Sequence, residues 1–113
     1  MRFRRHGRFH ELVERQLDLF ASDDAELIEE GVAAEAAYSA APAGEAEEAY
    51  GDYQLVVDAI ADRLLDIRES YARTLDEEAA EEYVAEFTRV ATKRYRRYAT
   101  LLADLDVDTS DEL

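Results

Sequence analysis

Two apolar seams with heptad spacing face each other across a short turn, and this pattern constrains the fold more than any other feature of the chain. Tyr50, Tyr53, Val57, Ile60, Leu64, Ile67 and Tyr71 follow alternating steps of three and four residues. Ala80, Val84, Phe87, Ala91, Arg94, Tyr98, Leu101 and Leu105 repeat the alternation beyond Thr74, Leu75 and Asp76. Such steps keep one stripe of a helix turned toward a partner along its whole length. The spacing predicts helices over about 45–73 and 76–104, each on the order of 45 Å long. Folded about residue 75, they form an antiparallel hairpin that sets Leu64 against Phe87.

The rest of the chain supports an all-α reading. One proline and four glycines leave few turning points, which favours long helices over a sheet. A 48% hydrophobic content with periodic placement fits one ordered domain with a small core. A first short helix is expected from about Gly7 to Phe20, with Phe9, Val13, Leu17 and Phe20 on one face. A second is expected from about Asp24 to Ala40, carrying Leu27, Ile28, Val32 and Tyr38 among many alanines. Its small side chains bury little area each, so it should be the least firmly docked. Asp23 with Glu26, and Thr74 with Glu77, have the spacing of capping boxes. Ala41, Pro42, Ala43 and Gly44 form the clearest break. The expected architecture is a helical bundle over 1–105, built on the hairpin, with an acidic, frayed tail over 106–113.

Charge narrows the function classes. The chain carries 28 acidic and 13 basic residues, for a formal net charge of −15. Such a chain is repelled by DNA and by anionic membrane at long range. It has no cysteine, hence no disulfide framework and no thiolate chemistry. The basic start, Met1 to His6, is followed by no apolar run, so it does not read as a secretory signal. No stretch approaches the roughly 20 apolar residues of a membrane span. A cytoplasmic protein is the expectation. The acidic composition, with Lys93 as the sole lysine, fits a GC-rich genome and a saline cytoplasm equally.

Several carboxylate and histidine patterns have spacings that chemistry uses. Asp58, Asp62 and Asp66 recur every four residues, with Glu69 following, but they fall on the face opposite the seam and point to water. Glu-x-x-Glu occurs at Glu11/Glu14, Glu26/Glu29, Glu45/Glu48 and Glu78/Glu81. Di-iron bundles also need Glu-x-x-His, which neither His6 nor His10 completes. All-α nucleotide pyrophosphohydrolases pair Glu-x-x-Glu with Glu-x-x-Asp, which does not occur. Asp104, Asp106 and Asp108 mimic the start of an EF-hand loop, but Thr109 stands where that loop needs glycine. His6 and His10, one turn apart, could begin a zinc site with Glu14, yet Arg4, Arg5 and Arg8 crowd it with positive charge. No catalytic residue, metal-ligand set or cofactor site follows from these patterns.

The basic residues are the remaining signal. Arg2, Arg4, Arg5, Arg8 and Arg15 form one cluster. Arg89, Lys93, Arg94, Arg96 and Arg97 form another, interleaved with Tyr95 and Tyr98. The hairpin register turns Arg94 and Arg97 toward Glu48, Asp52 and Asp58, so ion pairing within the chain explains them. The same register stacks Tyr50, Tyr53, Tyr95 and Tyr98 in one core layer. The alternative is an anion- or ligand-binding site made of Arg94, Arg97, Tyr95 and Tyr98. Two function classes follow. One is a non-enzymatic helical interaction or scaffold protein. The other is a ligand- or divalent-metal-binding bundle using carboxylates and arginines, such as a phosphate-ester hydrolase. Leu55 and Leu65, off the seam, and Leu19 need cover, which points to a homodimer or a helical protein partner rather than nucleic acid.

Overall fold

A computed structural model describes residues 7–99 and Leu102. The described chain is all-α: α1 spans His10–Asp23, α2 Ala25–Ala40, α3 Ala46–Ala72 and α4 Glu77–Arg94, with a single 3₁₀ turn at Ala43–Glu45 and no strand. No helix among the described residues is long and apolar enough to cross a membrane. Leu101, Leu105, the Asp104/Asp106/Asp108 series, the acidic tail, His6 and Arg2, Arg4 and Arg5 lie outside the described residues.

The first two helices are separated by a single residue, the joint at Asp24. The Asp24 N–H bonds Phe20 O at 2.9 Å, and Asp24 O accepts from Ile28 N at 3.1 Å. The expected Asp23–Glu26 capping box does not form; Asp24 is the N-cap residue and makes no side-chain cap bond. Its carboxylate instead accepts from Arg63 Nε of α3 at 3.2 Å. Beyond the joint α2 runs along α3, from Asp24 beside Arg63 to Tyr38 beside Tyr50 and Tyr53. This is the most extensively apposed pair of helices, where loose docking was expected. Gly31 gives the reason. A Cβ there would stand 3.0 Å from Ile60 and 3.1 Å from the Tyr98 hydroxyl. Small side chains lose burial area individually but let backbones approach closely.

α1 packs on α4 instead. Arg8 reaches Glu82 at 3.2 Å, His10 reaches Glu86 at 2.8 Å, and Arg94 reaches Glu14 at 3.2 Å. α3 and α4 are joined by the turn at 73–76 and touch through Tyr71 on Tyr83 and Arg68 on Thr88. The turn is capped by Asp76, which accepts from Ala79 N at 2.8 Å, and not by Thr74. The Thr74 hydroxyl donates to Tyr71 O at 2.7 Å and closes α3.

The core draws on all of these faces: Val13, Leu17 and Phe20 from α1, Val57, Ile60 and Leu64 from α3, and Tyr83, Phe87 and Val90 from α4. Tyr83 is fully buried although it lies off the heptad seam. A heptad seam serves one partner, whereas α4 faces both α3 and α1 and needs a wider apolar stripe. Tyr83 lies edge-on to Phe9 and against Tyr71, and donates to Gln16 Oε1 at 2.7 Å.

α4 ends earlier than the sequence suggests. The chain bends at Tyr95 (φ −128°, ψ 57°) and residues 96–99 are helical again. Arg94 is the last residue of α4 and points from it to Glu14 and Asp18 of α1. Beyond the bend Tyr98, Ala99 and Leu102 are all buried.

Candidate functional site

The four residues singled out in the sequence, Arg94, Tyr95, Arg97 and Tyr98, come together at this bend. They line an open concavity of about 370 Å³ with Lys93, Arg96, and Val32 and Glu35 of α2. Tyr95 O accepts from both Tyr98 N (2.9 Å) and Ala99 N (2.8 Å), which fixes the corner. The result gathers four of the chain's thirteen basic residues around one hollow, with Glu35 as the one carboxylate of its wall among the described residues.

The arginines pair within the chain, but not with the partners expected. Arg94 reaches Glu14 at 3.2 Å and Asp18 at 3.1 Å, both on α1. Arg97 pairs with Glu35 of α2. Glu48, Asp52 and Asp58 of α3 do not serve them; Asp58 instead accepts from Gln54 at 3.3 Å. The expected layer of four tyrosines is also replaced. Tyr50 and Tyr53 stand with Tyr38, Tyr95 lies edge-on to Phe20 at 5.4 Å, and Tyr98 sits over Gly31. The cause is common to both differences: α1 and α2 occupy the faces that a two-helix register leaves to α3. Glu14 and Asp18, an i,i+4 acidic pair on α1, are the signal that could have identified Arg94's partners.

Tyr98 is 7% exposed and packs against Gly31. Burial first, and then the nearby Glu35 carboxylate, push its pKa above the ordinary phenol value. It is therefore a neutral hydroxyl at physiological pH.

The carboxylate patterns are dispersed. No three His, Asp or Glu side chains among the described residues are grouped so as to hold a metal. Glu14 is taken by His10 and Arg94, Asp66 by Arg63, and Glu69 by Arg68. Glu45 and Glu48 share one shallow hollow, and Glu78 and Glu81 another on α4. His10 lies between Glu14 and Glu86, and Glu86 also receives Arg89 at 2.8 Å. The Arg89 hydrogen bond, then His10, hold the Glu86 carboxyl below its ordinary pKa against the opposing effect of burial.

A second concavity, missed from sequence, lies between α3 and α4. It measures about 520 Å³ and is lined by Ala72, Ala80, Val84 and Ala85, with Glu69, Glu77 and Glu81 around them. Arg68 lies beneath it, 5% exposed, with Nε on Glu69 at 2.9 Å and Nη1 on Thr88 at 2.7 Å. The repeated alanines of α4 were its only trace in the sequence. No protein-family model, characterised protein or solved structure matches this chain.

Proposed function

We propose that this chain is a non-enzymatic helical interaction protein, with α3 and α4 acting as a long antiparallel hairpin that receives a partner helix in its outer groove. The observation that carries this reading is the groove itself. Its alanine and valine floor is shallow enough for a helix to lie close, as in helix-in-groove recognition. Three glutamates around an apolar floor favour an amphipathic helix with small apolar residues on one face and Arg or Lys on its flanks.

A second copy of the chain fits this groove less well. Leu19 and Leu55 are 55% and 69% exposed, which supports the idea of a further contact. Leu55 is nine residues from Leu64, half a turn around α3 at 100° per residue. It sits among Asp52, Asp58 and Asp62, and two such faces repel each other. A basic helical partner meets no such penalty.

Fluorescence anisotropy with two labelled synthetic helices tests the reading. Both carry alanine and leucine on one face; one has arginine flanks and the other glutamate flanks. The arginine-flanked helix should bind, and Ala85→Arg should block it while leaving the melting temperature unchanged, because Ala85 is exposed. Equal binding of both helices, no binding, or binding indifferent to Ala85→Arg would overturn the groove. Sedimentation of the free chain as a dimer that Ala85→Arg dissociates would replace the basic partner with a second copy.

A further inference from the structure

We propose that the basic concavity at the α4 bend is a binding site for the phosphate group of a small molecule. This goes beyond helix docking: it uses the opposite end of α4 and a different chemistry. Lys93, Arg96 and Arg97 line it from one short stretch of bent backbone, against Val32 and Glu35 of α2. Arginine forks match phosphate oxygens in pairs, and a phosphate dianion carries more charge than a carboxylate. Arg94 is the positioning residue. Its two terminal nitrogens are already bound to Glu14 and Asp18, so it holds the corner in place and is not free to clamp a ligand.

Two further observations point to an anion. Tyr98 lines the wall of the hollow, and its phenol hydroxyl is a hydrogen-bond donor of the kind a phosphate oxygen accepts from. Arg97, though 62% exposed, folds back onto Glu35, so a carboxylate of the chain itself already occupies an anion position. An incoming phosphate dianion competes with Glu35 for Arg97. A polyanion is a poorer occupant than a small phosphate. The chain's net charge of −15 repels an extended nucleic acid along its whole length, whereas a small ligand feels chiefly the local cations.

The competition gives a test with two signs. The full chain is titrated calorimetrically with inorganic phosphate and with adenosine 5′-monophosphate, at constant ionic strength set by sodium chloride. Matching ionic strength matters because screening alone stabilises so acidic a chain. Arg97→Gln should weaken binding about tenfold or more, the loss of one charge-assisted contact. Glu35→Gln should strengthen it by a similar factor, because the internal competitor is gone. A purely structural Arg97–Glu35 pair predicts no gain in binding from Glu35→Gln. Tighter binding of the monophosphate than of inorganic phosphate would identify a phosphate ester resting on Tyr95; equal binding would identify phosphate alone. No heat above the chloride control in both the wild type and Glu35→Gln, or affinities unchanged in both variants, would overturn the proposal.

Discussion

Replacing Tyr83 with phenylalanine separates the two things this side chain does. The ring fills the centre of the core, in contact with Phe9, Tyr71 and Phe87. The hydroxyl ties α4 to α1 by donating to Gln16 at 2.7 Å. Tyr83→Phe keeps the ring and removes one hydrogen bond. Gln16 is half-buried and can turn toward water, so the cost should be about 1 kcal/mol. Tyr83→Ala also empties the ring's volume and should cost about 3–5 kcal/mol. The hydroxyl has a second signature at high pH. Burial raises its pKa from 10.0 to about 12. Below pH 10 the phenol is neutral both folded and unfolded, and its contribution to stability is fully present. As pH rises from 10 toward 12 the unfolded chain ionises first, and stability is lost by roughly 2–3 kcal/mol. Urea denaturation followed by circular dichroism at pH 7, 10 and 11.5 reads both effects. Tyr83→Phe should be slightly less stable at pH 7 and lose less stability on going to pH 11.5. Tyr98, also raised by burial, keeps part of the alkaline loss in place. An alkaline loss identical in wild type and Tyr83→Phe would refute this reasoning, as would a cost at pH 7 equal to that of Tyr83→Ala.

Further outcomes follow from the same contacts. Leu64→Ala, at a fully buried position, should cost about 2–5 kcal/mol in denaturant melts; a loss below 1 kcal/mol (a cost typical of surface changes) would mean that the α3 seam is not packed as described. Arg94→Gln breaks contacts to Glu14 and Asp18 and should lower stability by about 1 kcal/mol or less at low salt, with the difference shrinking at high salt. Glu86, with its pKa held below 4.5 chiefly by Arg89 and then by His10, supplies stability above its unfolded value that is lost as pH falls through the lower folded value. Glu86→Gln should therefore flatten the acid limb of stability measured between pH 6 and pH 3.

The sequence made the helical class and the breaks near residues 24, 41–45 and 73–76 legible because heptad spacing and turn residues act locally. Leu64 and Phe87, taken from the seams, are both fully buried. What it did not make legible is how many partners each helix has. A seam read pairwise leaves out Tyr83, since nothing local indicates that α4 is also covered by α1. The same omission misassigned the partners of Arg94 and Arg97, which bind acids of α1 and α2. The bend at Tyr95 carries no glycine or proline. With no local turn signal, periodicity carried the seam straight through it. The residues of the basic concavity were recognisable as a cluster, but Glu35 and Val32, some 60 residues away in sequence, belong to it only through the close approach that Gly31 allows.

The proposed docking groove is tested most directly by the amide spectrum of the ¹⁵N-labelled chain as the arginine-flanked helix is added. The largest shift changes should fall along 68–72 and 77–85, around Ala72, Ala80 and Ala85, with α2 and the α4 bend little affected. Changes centred instead on Leu19, Leu55 or Lys93–Tyr98, or no change at saturating peptide, would contradict it.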